Sequence, residues 1–252
     1  MTFAERSNFM IPLHTLYTPS HRELMERFFT PSLPGDVEPR ISYFESEGDG
    51  WIQDASFRRA IVRKCEVIIA AIREHWGRVF IWSDVDVQFF GPLAAWAERT
   101  TRDLDLVFQM DAPGPCLCAG FFFCRANDAT LRLWEGALAF SQQPDPACDD
   151  QVFVRKKLFG GTSGVRWGHL PPAFIGGGTF TGQNWNPGGD FPVPRGVVMH
   201  HANWTCGTKA KVAQCEFVQT KIARGDFLDM DEACRRMSTR RRIIRADEAT
   251  VG

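Results

Sequence analysis

Short apolar runs alternate along this chain with segments whose apolar positions recur every third or fourth residue. The runs at 8–17, 39–44, 79–82, 104–110, 119–125, 165–171 and 196–202 predict strands, because β-branched and aromatic side chains crowd into them. The clearest helix is predicted over 55–76. There Phe57, Ile61, Cys65, Ile68, Ile72 and Trp76 fall at spacings of 4, 4, 3, 4 and 4, which puts them on one face. Arg58, Arg59, Arg63 and Lys64 then point elsewhere. Shorter helices are predicted over 20–29, with Ser20 as the N-cap, and over 92–99, 128–140 and 149–159. A Gly-, Pro- and Asn-rich loop fills 176–192, and no internal repeat is visible. Such alternation predicts an α/β domain with a largely parallel sheet.

One stretch departs from a plain apolar strand. VFIWSDVDVQFFGPL, residues 79–93, carries Asp84 and Asp86 one residue apart. Ionised carboxylates beside a buried strand are costly unless a positive charge compensates them. In an extended chain, residues i and i+2 project to the same side, so both can enter one crevice at the carboxyl end of the strand. Their mutual repulsion is relieved by a hard divalent ion, magnesium or manganese, which prefers oxygen ligands and leaves positions for diphosphate. The plainer reading is that one aspartate caps a turn and the other faces solvent. Far along the chain, MHHANWTCGTKAK puts two histidines at a strand end, followed by Asn203, Gly207, Lys209 and Lys211. Those residue types suit a loop that contacts phosphate.

Composition narrows the classes. A net charge of −1 gives no electrostatic case for nucleic acid. No run of 18 apolar residues occurs, so no membrane span is expected. Glu5 and Arg6 stand where a secretory signal would be apolar, so a cytoplasmic location is expected. The cysteines sit mostly in apolar segments and read as small buried hydrophobes, and Cys116-Leu117-Cys118 lacks the spacing of a cysteine zinc site. Residues 235–245 hold six arginines. They read as a solvated end or, alternatively, as a basic segment that touches anionic lipid on the inner membrane face.

Four segments, in order, carry a resemblance: FIWSDVDVQFFGPL, CAGFFFCRAND, DDQVFVRKKL and HHANWTCGTKAK. Over roughly residues 8–215 the chain resembles the nucleotide-diphospho-sugar transferases, glycosyltransferases of GT-A fold with a DxD motif, closest to the retaining type. The last segment fits His-x-Asn-x-x-x-Gly-x-x-x-Lys through His201, Asn203, Gly207 and Lys211. The resemblance implies a GT-A-like, Rossmann-type mixed and mostly parallel sheet flanked by helices over 1–215, with a C-terminal helix and basic tail over 216–252. It implies Asp84, Asp86 and His201 as ligands of manganese or magnesium, and Lys211, with Lys209, against the departing diphosphate. Thr15 and Tyr17 would lie against the nucleotide, and Lys64 or Arg63 would approach the phosphates or the sugar. Ser83 and Asp84 are carried over as donor-binding positions, and Asp111, Ala119 and Gly120 would border the donor sugar. Asn203 and Gly207 complete the phosphate loop. Asp149, Asp150 or Gln151 would face the anomeric carbon. The sequence departs from the family at Cys118, where Asn or Thr is usual, and at Val154 or Arg155, where Asn is usual.

The expected activity is transfer of a sugar from a nucleoside-diphosphate donor, with uridine diphosphate foremost, to a glycan or other hydroxyl acceptor. Two alternatives fit parts of the pattern. DVDV also satisfies the nucleophile motif of haloacid-dehalogenase-like phosphatases, although more than 70 residues of α/β pattern precede it here. A nonenzymatic nucleotide-sugar or divalent-ion binding protein is the other.

Overall fold

The computed structural model describes residues 10–46, 55–114, 116–145 and 147–238. Its centre is a six-stranded sheet in the order β2-β1-β3-β6-β5-β7. The strands are β1 (Ile11–Tyr17), β2 (Val37–Tyr43), β3 (Val79–Ser83), β5 (Leu106–Met110), β6 (Leu117–Arg125) and β7 (Trp167–His169). Only β6 runs against the others, pairing antiparallel with β3 and β5. A smaller sheet of β4 (Val87–Phe89), β9 (Met199–His201) and β8 (Phe174–Gly176) lies beside it.

Both faces of the large sheet are covered, which explains why its strands read as unbroken apolar runs rather than as alternating ones. Phe80, Trp82, Phe108, Phe122 and Cys124 face one core, shared with helices Ala55–Glu74, Asp128–Ser141 and Asp150–Phe159. Ile81, Val107, Phe121 and Phe123 face the other, shared with a helical run over 19–32 and with the small sheet. The ring of Phe122 stacks on Trp134 with centroids 5.1 Å apart, locking β6 to helix Asp128–Ser141. That helix opens on a capping box made by Asn127 and Thr130.

Several local expectations are corrected. Residues 79–93 form two strands in two different sheets, because the backbone bends at Asp84 to Asp86. The strand β8 lies in a segment that showed no strand pattern. The predicted helix over 55–76 ends at Glu74, so Trp76 lies beyond it and is 50% exposed rather than in the core. Lys64 does not share the exposed face of Arg63; it is 6% exposed and turned inward. Ser20 is not the N-cap: the run begins at Pro19 after Thr18, and the Ser20 hydroxyl bonds to Thr18 Oγ1 and His21 Nδ1, each at 3.0 Å. Helix Ala94–Thr100 is capped from a distance, its first amides at Leu93 and Ala94 donating to Asp36 Oδ2 at 2.8 and 2.7 Å. All eight cysteines are free, and five of them, including Cys65, Cys118 and Cys124, are buried.

Helix Thr208–Arg224 runs through residue 215, where the boundary between core domain and C-terminal segment was expected. Helix Met230–Ser238 follows, with Arg235 and Arg236 both on Glu232. The remaining arginines of the tail lie outside the described residues. No helix among the described residues is long and apolar enough to cross a membrane.

Candidate active site

The bend at Asp84 to Asp86 falls at the carboxyl end of β3, the strand between β1 and β6. Strand β4 then leaves for the small sheet, where Val87 pairs with His201 of β9. The bend and that pairing bring an imidazole from far along the chain to the acidic pair. One ligand atom each from Asp84, Asp86 and His201 lies within 4.8 Å of the other two. Gly120 on β6 makes this approach possible: a Cβ there would stand 2.3 Å from His201 Cε1 and 2.8 Å from Asp84 Oδ2.

Cations surround the pair. Lys211, on helix Thr208–Arg224, has its ammonium 2.5 Å from Asp86 Oδ2, and His201 Nε2 is 3.2 Å from Asp86 Oδ1. Lys64 spans two carboxylates, 3.0 Å from Asp150 and 3.4 Å from Asp84. Trp82 Nε1 donates to Asp84 Oδ1 at 3.0 Å. These neighbours divide the aspartates. Burial pushes the Asp84 carboxyl up and repulsion from Asp86 adds to it, while Lys64 opposes. Burial acts on Asp86 in the same sense, yet Lys211 and His201 together hold it well below the usual carboxylate range. His201 is the converse: burial would lower it, but the Asp86 carboxylate raises it well above the usual histidine value.

His201 Nδ1 lies 2.9 Å from Gln109 Oε1. An N–H donated there leaves Nε2 facing Asp86, the arrangement a metal-ligating histidine adopts. Two carboxylates and one imidazole nitrogen, held by buried partners around one point, fit a divalent cation of the manganese or magnesium type.

Beside this cluster opens a pocket of about 140 Å³, with Tyr17, Lys64, Trp82, Asp84, Asp86 and Lys211 on its wall. A separate polar network is built around Asp111, which is 8% exposed and does not line that pocket. Its Oδ1 accepts from Asn203 Nδ2 and Trp204 Nε1, each at 3.0 Å, and its Oδ2 faces Gln151 Nε2 at 3.4 Å. Gln151 Oε1 in turn accepts from the Ala119 amide at 2.9 Å. Gly176 admits Asn203, since a Cβ there would meet Asn203 Oδ1 at 2.2 Å.

The expected residues therefore divide. Asp84, Asp86, His201, Lys64, Lys211, Tyr17 and Gly120 converge, and Asp111, Ala119, Asn203 and Gln151 form a separate hydrogen-bonded group off that pocket's wall. Thr15 does not reach the pocket; it is fully buried in the core one side-chain step before Tyr17. Ser83 is equally buried, its hydroxyl donating to the Asp84 carbonyl at 2.9 Å. Asp149 caps helix Asp150–Phe159 by accepting from the Val152 amide at 2.7 Å. Asp150 is the buried partner of Lys64. Lys209 is exposed and off the pocket wall, and Arg63 pairs with Glu66 on the surface. Gly207, at φ 82°, supplies the turn into helix Thr208–Arg224.

Sequence reasoning missed Gln109, Trp82, Trp204 and the role of Asp150. Gln109 had a signal: an amide inside the apolar strand LVFQM needs a buried partner. Asp150 had none, since its partner Lys64 is remote in sequence and falls among the charged positions of its helix.

Fold and site together define an α/β enzyme whose cluster sits at a strand's carboxyl end. The chain belongs to the nucleotide-diphospho-sugar transferase family, whose model matches residues 70–215. This assignment makes it a glycosyltransferase that uses nucleotide sugars, and it displaces the phosphatase reading of DVDV. Among solved structures, the fold is similar to that of a glycosyltransferase involved in the glycosylation of the major capsid of PBCV-1. That match has a TM-score of 0.54 and 14% identity, and it covers 82% of this chain and 99% of that chain. No curated protein matches the sequence.

Proposed function

We propose that this chain transfers a sugar from a nucleoside diphosphate, with uridine diphosphate the first candidate, to a hydroxyl acceptor with retention of anomeric configuration, and that the transfer depends on a divalent cation. The observation that carries the reading is the convergence of Asp84, Asp86 and His201, within 4.8 Å, beside a pocket that also holds Lys64 and Lys211. Asp84, Asp86 and His201 would hold manganese or magnesium, which when bound neutralises charge on the diphosphate.

The protein's own groups account for the rest. Tyr17 offers a ring to the base, and Lys211, close to Asp86, is within reach of charge that develops on the leaving diphosphate. Loss of that diphosphate leaves oxocarbenium-like character on the sugar. Gln151, fixed by the Ala119 amide and by Asp111, is the polar side chain we assign to the far face of the sugar. Asp149 and Asp150 act one step away, as helix cap and as anchor of Lys64. Acceptor attack on the leaving-group side gives retention.

The test is donor turnover with a panel of nucleotide sugars, with and without manganese, followed by assignment of the product's anomeric configuration by NMR. Metal-dependent cleavage of a uridine-diphosphate sugar with retention is expected. Turnover unaffected by chelator, or an inverted product, contradicts the corresponding part.

A further inference from the structure

Away from the pocket, β1 and the end of helix Ala55–Glu74 bring together two histidines and a glutamate. His14 Nε2 and His75 Nε2 are 2.9 Å apart, and Glu74 Oε1 is 3.8 Å from His75 Nε2. One ligand atom from each of the three lies within 4.8 Å of the other two. The imidazoles are 6% and 2% exposed and rest on the ring of Phe80, with centroids at 5.6 and 5.9 Å. The Glu74 side chain is 52% exposed and leaves the cluster open to solvent on one side.

A tetrahedral zinc ion, with bonds of about 2.0–2.1 Å to nitrogen and oxygen, needs ligand atoms about 3.3 Å from one another. The observed separations of 2.9 and 3.8 Å bracket that value, so rotation of the exposed glutamate and small shifts of the rings close the shell. Two imidazole nitrogens with one carboxylate are a donor set that suits zinc better than magnesium or manganese. We propose that His14, His75 and Glu74 form a zinc site, with a fourth position left to water, that clamps the end of the long helix to β1.

The protonation states are compatible. Two neutral imidazoles now share a hydrogen bond through their Nε2 atoms, and burial keeps His14 neutral by lowering its pKa to about 4. Zinc takes the place of the shared proton, which moves to the Nδ1 atom of the same ring. Nearby cations do not block this. Arg40 is paired with Glu38 at 2.7 Å, and the exposed Arg78, 3.4 Å from His75 Nδ1, can swing away into solvent. The clamp has a consequence for the pocket. Helix Ala55–Glu74 carries Lys64 roughly 15 Å from its clamped end, and β1 carries Tyr17 roughly 10 Å beyond His14, so one ion would fix two pocket walls.

The experiment uses the full chain stripped with a chelator. Zinc is titrated against a chromophoric competitor, and cobalt(II) serves as a spectroscopic probe, since tetrahedral cobalt absorbs visible light far more strongly than six-coordinate cobalt. Wild-type protein should bind one more equivalent of zinc than His75→Gln or His14→Gln, and only wild type should give the strong cobalt bands and a zinc-dependent rise in Tm. Glu74→Gln, at an exposed position that leaves the fold intact, should weaken zinc by roughly 10–100-fold or more. It decides the matter if the histidine variants fold poorly. Equal zinc stoichiometry and affinity in wild type and Glu74→Gln, or the absence of strong cobalt bands in wild type, overturns the proposal. Neither result bears on the Asp84, Asp86 and His201 cluster.

Discussion

The Lys211 ammonium lies 2.5 Å from Asp86 Oδ2, joining residues 125 positions apart. It neutralises a carboxylate that burial would otherwise make costly, and together with His201 it holds Asp86 ionised. Lysine and a divalent cation therefore compete for the same carboxylate. Lys211→Met should show a larger manganese-induced rise in Tm than wild type and a turnover lowered by about 10²–10³. An unchanged metal response in the variant, measured by thermal shift, contradicts the competition.

Lys64 is held between Asp150 and Asp84 at 3.0 and 3.4 Å. Burial would lower its pKa, but Asp150 and then Asp84 raise it above the ordinary lysine value. Lys64→Met leaves a buried, unpaired carboxylate at Asp150 and should destabilise the fold by about 3–5 kcal/mol. Adding Asp150→Leu should restore much of that loss. Additive losses in a double-mutant cycle by urea unfolding would show that the pair is not coupled.

Gly120→Ala is predicted to damage the site more than its size suggests. The new Cβ would stand 2.3 Å from His201 Cε1, inside a packed cluster that cannot yield cheaply. We expect about 1–3 kcal/mol of destabilisation and a large fall in manganese affinity, read by calorimetry. Wild-type affinity would mean that His201 is not held where β6 and β9 put it.

The third motif separates by role. Asp149→Ala removes a helix cap and should cost about 1 kcal/mol with little change in kcat. Gln151→Ala strands the buried Ala119 amide and should cost about 1–3 kcal/mol, but unlike Asp149→Ala it should also lower kcat. The reverse pattern in kcat, measured on the same two variants, would reassign the motif.

How much of this was legible follows from which interactions are local. The helix over 55–74 and the strands Ile11–Tyr17 and Leu117–Arg125 announced themselves through periodicity and apolar runs, because burial on known faces shapes the sequence directly. The convergence of Asp84, Asp86 and His201 came from the family resemblance, since no spacing rule links residues so far apart. The bend that splits β3 from β4 was invisible, because Val87 and Phe89 continue the same apolar alternation into another sheet. Lys64 was misplaced for a related reason: a helix face assigned from apolar residues alone cannot register a buried cation whose partners are remote. Asp149 and Asp150 look alike in sequence, and only the start of the helix tells the cap from the ion-pair partner.

Stability should fall in mild acid. Burial lowers His200 from 6.5 to about 3 and His14 to about 4, so each is neutral in the fold and protonated when the chain unfolds. Unfolding therefore takes up protons between about pH 6.5 and 4 for His14 and between about pH 6.5 and 3 for His200, and the stability present above that window is lost as the pH falls through it. His200→Gln should flatten the slope of unfolding free energy against pH by about 1.4 kcal/mol per unit between pH 4 and 6. Parallel slopes for variant and wild type would place the His200 pKa near its ordinary value.

In the proposed reaction the aspartates around Val85 and the imidazole of His201 act together on one cation and one diphosphate. Calorimetric titration of uridine diphosphate, with and without manganese, into wild type and His201→Ala tests it most directly. Wild type should bind tightly only when manganese is present, and the variant should lose that metal dependence. Equal binding with and without the ion in wild type would contradict it.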